Sequence, residues 1–217
     1  PVQVIPCCVD MNRFQSATPE ARTEIRDRLG IGSRRVIVYI GAFGGWYMTQ
    51  ETADLFAAAR DADPNVFAMI LTQSPREMIE TKLEAHRYSK NDFYISKVPS
   101  AEIPLYLSAA DIAVSFIKPC YSKQASSPTK NAEYLACGLP IIANSGVGDV
   151  EELITKNRVG ALVTDFSSNG YLNALRTIET ANDFSQCCRE TAMAEFGLEE
   201  VGGKRYRDLY RLLMAAS

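Results

Sequence analysis

Ser127, Thr129, Lys130 and Glu133 fall within one short stretch, and their types and spacing are those that chemistry needs. Ser127 suits a helix N-cap, and Pro128 suits the first helical position, where a missing N–H costs nothing. The amides of Thr129 and Lys130 then leave the helix unpaired, beside a hydroxyl and an ammonium. Free donors and the helix dipole together favour an anion such as phosphate. Glu133 follows Lys130 by three residues on the same helical face, so a carboxylate able to accept from hydroxyls lies one turn deeper. Gly138 fits a left-handed C-cap, and Leu139-Pro140 bars continuation of the helix. A capped amphipathic helix in an ordinary α/β protein has the same look, with Ser127 satisfying only the amide of Lys130. Spacing alone leaves both readings open, although a first-turn lysine opposes the dipole and so disfavours the plainer one.

The elements that must hold this helix alternate along the chain as apolar strand-like runs and helical patterns, which predicts a doubly wound, Rossmann-like α/β domain with one parallel sheet. Strands are expected at Val36–Ile40, Val66–Leu71, Phe93–Val98, Ile112–Phe116, Ile141–Ala143 and Gly160–Val163. Helices are expected at Thr49–Asp63, Pro75–Tyr88, Ile103–Ala109, from an Asp149 cap through Ile154, and at Ser167–Ala181, Asp183–Phe196 and Leu198–Met214.

In such a sheet the ligand crevice lies beyond the carboxyl ends of the strands. The turn Gly41-Ala42-Phe43-Gly44-Gly45 stands at one such end, where glycine lets backbone approach a ligand; a turn required only by geometry reads the same. Thr72 closes the second strand where a dinucleotide site would carry an acidic residue, and no GxGxxG occurs, so hydride chemistry is not expected. Trp46, the only tryptophan, sits at this edge to stack on a sugar, to pack on another domain or to cover the core. Lys118 and Lys123 are further candidate phosphate partners, or solvated loop lysines. A buried Glu133 needs partners, and its competing role is structural, for example holding the turn Asn144–Gly148.

Composition closes other routes. With 23 basic and 26 acidic residues the chain has no nucleic-acid footprint. It has no apolar run long enough to cross a bilayer, no signal peptide is expected, and six cysteines without metal or disulfide spacing predict reduced thiols in a cytoplasmic protein. His86 stands alone in a polar helix, so no metal centre and no serine triad is expected. Lys204, Arg207 and Arg211 line one side of the last helix, a solvated face or a membrane-surface contact.

The segment Ser126-Ser127-Pro128-Thr129-Lys130-Asn131-Ala132-Glu133 with Ala136-Cys137-Gly138-Leu139-Pro140 resembles the signature of the retaining, two-domain (GT-B type) group 1 nucleotide-sugar glycosyltransferases. Val4-Ile5-Pro6-Cys7-Cys8-Val9-Asp10 and Asn12-Arg13-Phe14 are similar to the stretch that enters their carboxy-terminal domain. The resemblance implies an interdomain segment at 1–15 and a donor-binding domain at 16–217, with an amino-terminal acceptor domain absent. Its first signature glutamate is replaced by Ala125, and an arginine usual after the strand glycine by Ala42. It implies a donor site of Gly41, Phe43, Gly44, Thr72, Val98, Ser126, Ser127, Thr129, Lys130 and Glu133. In this site Lys130 would stabilise the leaving diphosphate without a metal, Glu133 would accept from the ribose, and Val98-Pro99 with Glu102-Ile103 would hold the base. The donor would be a nucleoside-diphosphate sugar, with no other cofactor, and the acceptor a glycan or lipid-linked group. The resemblance also implies peripheral membrane contact of the longer enzyme and no transfer by this chain alone. A non-hydrolysing nucleotide-sugar epimerase and a non-catalytic nucleotide-binding or scaffold module are the other readings. Titration with nucleoside diphosphates discriminates among them.

Overall fold

The computed structural model describes residues 2–15, 17–180 and 184–215. Six parallel strands form one sheet: β1 (Arg35–Ile40), β2 (Val66–Leu71), β3 (Phe93–Ser96), β4 (Ile112–Ser115), β5 (Ile141–Asn144) and β6 (Gly160–Val163). Their spatial order is β3-β2-β1-β4-β5-β6. The chain therefore winds outward from β1 in one direction, then returns to its other side at β4 and winds outward again.

Nine α-helices cover the sheet among the described residues: α1 (Pro19–Arg28), α2 (Thr49–Ala62), α3 (Glu77–Ala85), α4 (Ile103–Leu107), α5 (Thr129–Ala136), α6 (Val150–Asn157), α7 (Ser168–Thr180), α8 (Phe184–Phe196) and α9 (Lys204–Ala215). Strands buried on both faces read as continuous apolar runs, and alternate β1 residues serve opposite layers. Val36 and Val38 pack with α5 and α8 residues such as Leu135 and Ala192. Ile37 and Tyr39 pack with α2 and α7 residues such as Phe56 and Leu175. This is the doubly wound α/β fold that the alternation predicts.

Several local expectations are corrected. The helix expected at Pro75–Tyr88 is shorter, and β3 ends at Ser96 rather than Val98. Asp149 occupies the N-cap of α6 but makes no side-chain capping bond, and the helix runs to Asn157. Leu198–Met214 is not one helix: a wide turn over Leu198–Gly203 precedes α9. Ala181 and Asp183, expected at helix ends, lie outside the described residues. The residues 2–15 are not detached from the domain. Val9 donates to the Phe196 carbonyl at 2.8 Å and accepts from Leu198 at 3.0 Å, and Phe14 is buried.

Candidate functional site

The winding reverses between β1 and β4, so their carboxyl ends diverge and leave a crevice. The buried Tyr134 of α5 braces this point. Its hydroxyl accepts from the Ile40 amide at 2.7 Å and donates to the Val114 carbonyl at 3.4 Å. Above it opens a cleft of ≈ 370 Å³. The structure brings Gly41, Ser126, Ser127, Thr129, Lys130 and Glu133 together in its lining, with Trp46, Tyr47 and Lys123. Phe43, Gly44, Thr72 and Val98 are not part of that lining.

Lys130 is the unusual group. Sequence reasoning put its ammonium on an open helix face; in the structure the residue is buried and its Nζ has no hydrogen-bond partner among the described residues. It lies 4.5 Å from the Tyr39 ring centroid and 4.8 Å from that of Tyr47. A Cβ added at Gly41 would stand 3.8 Å from it, so the glycine turn passes directly over the amine. Burial lowers its pKa to about 7. An amine held this way takes its full charge only when an anion arrives.

The start of α5 also differs from expectation. The N-cap is Pro128, without a side-chain bond, and Ser127 is outside the helix. The Ser127 hydroxyl accepts instead from the amide of Cys7 at 3.2 Å, 120 residues away in sequence. The Asn131 amide bonds to the Pro128 carbonyl at 2.9 Å, while those of Thr129 and Lys130 have no backbone partner among the described residues. Two free donors therefore face the cleft beside the buried amine.

The loop before α5 is moulded by the turn after β5. Asn144 is buried; its Oδ1 accepts from Ile117 N and its Nδ2 donates to Ile117 O, both at 2.9 Å. The Gly148 amide donates to the Lys123 carbonyl at 2.8 Å, and a Cβ at Gly148 would fall 1.9 Å from the Ser126 carbonyl oxygen. Asn144 and Gly148, not Glu133, hold this turn. Sequence reasoning noted the turn but missed Asn144, whose only signal was an amide at the end of a buried strand.

The glycine turn offers fewer free amides than its composition suggests. Phe43 N donates to Ser74 Oγ at 2.9 Å and Gly44 N to Thr49 Oγ1 at 3.1 Å. Phe43 is buried and stacks on Tyr39 with centroids 4.6 Å apart. Thr72 and Val98 are also buried, at the ends of β2 and β3, where Gln73 bonds to the Val98 carbonyl at 3.3 Å. Arg13 reaches this side and donates to the Ser100 carbonyl. The Glu133 side chain accepts no hydrogen bond among the described residues. Burial pushes its carboxyl pKa up, and the Arg13 guanidinium pulls it part of the way back.

The chain is thus a doubly wound sheet with a cleft at its reversal point, lined by a buried amine and the free amides of Thr129 and Lys130. The model of the family "Glycosyl transferases group 1" matches residues 21–194, and the chain belongs to that family. It is 24% identical over 169 residues to a GDP-mannose-dependent alpha-(1-6)-phosphatidylinositol monomannoside mannosyltransferase of Mycolicibacterium smegmatis, an alignment covering 73% of this chain and 42% of that protein. The crystal structure of Anabaena Alr3699/HepE in complex with UDP and glucose superposes with a TM-score of 0.76 at 17% identity, covering 96% of this chain and 56% of that one. The C-terminal domain of a group 1 glycosyl transferase (LpcC) from Francisella tularensis gives 0.69 at 20% identity, covering 88% of this chain and 99% of that domain. The chain thus spans about half the length of the longer relatives it matches. Among the described residues no helix is long and apolar enough to cross a membrane.

Proposed function

We propose that the cleft binds the diphosphate and ribose of a nucleotide-sugar donor, and that the chain is the donor-binding part of a retaining glycosyltransferase acting on a glycan or lipid-linked acceptor. The observation that carries this reading is the buried, unpartnered Lys130 ammonium beneath the Gly41 turn, next to the free amides of Thr129 and Lys130. The departing diphosphate accumulates negative charge. Preorganised donors in a water-poor site stabilise that charge without metal participation. Ser126, Ser127 and Thr129 supply hydroxyls at the same end of α5. Glu133, with lone pairs unclaimed by the protein, accepts from ribose hydroxyls. Thr72, Val98, Phe43 and Gly44 act through the strand ends and the turn they shape, with the base lying toward Val98. Residues 1–15 lead in from an acceptor-binding domain, and 16–217 form the donor domain.

The relatives support this assignment: the mycobacterial enzyme is GDP-mannose-dependent, and the Anabaena protein is in complex with UDP and glucose. Calorimetric titration with uridine, guanosine, adenosine and thymidine diphosphates tests it. One of the four is expected to bind, with affinity lost in Lys130→Met. A folded protein that binds none of them sinks the reading. Sugar transfer by this chain alone would overturn the division between two domains.

A further inference from the structure

The walls of the cleft carry one cation, Lys123, to which the reading above assigns no role. The chain as a whole has more acidic than basic residues, 26 against 23. Yet there is no Asp or Glu from Val36 to Gln50, from Ile112 to Ala132, or from Ile141 to Gly148. These stretches are β1 with its glycine turn, β4 with the loop to α5, and β5 with its turn. Glu133 is the one carboxylate among the residues lining the cleft, which also include two lysines, Lys123 and Lys130.

The two lysines differ in place and surroundings. Lys130 lies deep, between Tyr39 and Tyr47. Lys123 stands at the rim, its Nζ 5.4 Å from the ring centroid of Trp46, with no ion pair among the described residues. Both members of this rim pair are fixed by backbone bonds. The Lys123 carbonyl accepts from Ser126 N at 3.2 Å and Gly148 N at 2.8 Å, and the Trp46 carbonyl accepts from Lys118 N at 2.8 Å. Trp46 is 49% exposed and lines the cleft. An aromatic face holds the ammonium by cation–π attraction and leaves its other side open to a ligand.

A sugar hydroxyl both donates and accepts, but the strongest acceptor an ammonium can meet on a sugar is a carboxylate. This rim supplies an ammonium and an indole and no carboxylate. With Lys130 and the α5 amides given to the diphosphate and Glu133 to the ribose, the Lys123–Trp46 pair is the charged and aromatic part of the lining left for the sugar. We propose that it forms a subsite for a sugar bearing a carboxylate, so that the donor is a nucleoside diphosphate uronate. The uronate carboxylate accepts from Lys123 Nζ while the sugar ring lies along the indole. This inference rests on the donor-site reading above.

The test uses a matched pair of donors, glucose and glucuronate, carried on whichever nucleoside diphosphate the four-way titration selects. The uronate is expected to bind about tenfold more tightly than the neutral sugar. Lys123→Met should erase that preference and leave the affinity for free nucleoside diphosphate unchanged, while Lys123→Arg should keep the preference. Equal affinity for the two donors overturns the proposal and leaves the donor site standing. So does a Lys123→Met protein that loses nucleoside diphosphate and uronate donor to the same degree, because Lys123 then serves the phosphates. A folded protein that binds no nucleotide refutes the donor site itself.

Discussion

The ammonium of Lys130 lies 4.5 Å from the ring centroid of Tyr39, and among the described residues no oxygen reaches it. A cation–π contact is worth about 2 kcal/mol when desolvated. Removing an ammonium from water without a counter-ion costs several. The aromatic contacts therefore position the amine without meeting the cost of its charge. Near neutral pH the group is poised between neutral and charged, and a bound anion would favour the charged form.

The first consequence concerns stability. The Lys130 pKa falls from 10.5 in the unfolded chain to about 7 in the folded one. Between these values the unfolded chain binds more protons, so the free energy of unfolding rises with pH across this window. The penalty is fully present below about pH 7 and is gone above about pH 10.5. It amounts to at most roughly 5 kcal/mol. Urea melts of Lys130→Met should show a more stable protein at pH 7 and a flatter pH profile. Identical profiles for the two proteins would show that Nζ is solvated when the cleft is empty.

A second prediction concerns the bound state. A diphosphate beside Nζ favours the ammonium and raises its pKa, so binding at pH 8 should draw a proton from the buffer. Calorimetry in two buffers of different ionisation enthalpy should report uptake approaching one proton. Lys130→Met should show no uptake. Nucleotide affinity of the parent protein should weaken as pH rises from 7 to 9, opposite in sign to the effect on stability.

Glu133 gives a third. A charged acceptor for a ribose hydroxyl contributes about 1.5–3 kcal/mol, so Glu133→Gln should weaken nucleoside diphosphate binding roughly tenfold to a hundredfold. The same substitution should leave the affinity for a 2′,3′-dideoxy nucleotide unchanged. A parallel loss with both nucleotides would mean that Glu133 does not touch the ribose.

Asn144 gives a fourth. Removing its amide leaves Ile117 N and O buried without their partners. Asn144→Ala should destabilise the protein by about 2–4 kcal/mol, from the desolvation of two backbone groups. Because the same bonds place the loop that carries Ser126, nucleotide affinity should fall even at temperatures where the variant is fully folded. Calorimetry paired with thermal melts separates the two effects.

The parts of this molecule that were legible in its sequence are those with local causes. Val66–Leu71 is a buried central strand and reads as an unbroken apolar run, and Thr49 starts a helix with a clear apolar stripe. Helix α1 was not expected. In Pro19–Arg28 only Ile25 is a buried apolar residue, and the helix is held largely by polar means. The Arg26 guanidinium, for instance, bonds to the Ala109 carbonyl and to Asp111 Oδ2 at 2.9 Å. Periodicity is silent about such a helix. At the site, the residue types and the abrupt stop at Gly138 were readable. The fate of Ser127 was not, because the amide it serves belongs to Cys7. Nor was the burial of Lys130, whose enclosing rings come from β1 and the turn after it. Contacts made across so many residues leave no local spacing to read.

Trp46 is the single tryptophan of the chain, and it lines the cleft with the Lys123 ammonium over its ring. Its emission therefore comes from one place in the molecule, beside a positive charge that a bound ligand would move or neutralise. The protein carries its own optical reporter of occupancy, and titrations can be followed in the unmodified chain without attaching a dye.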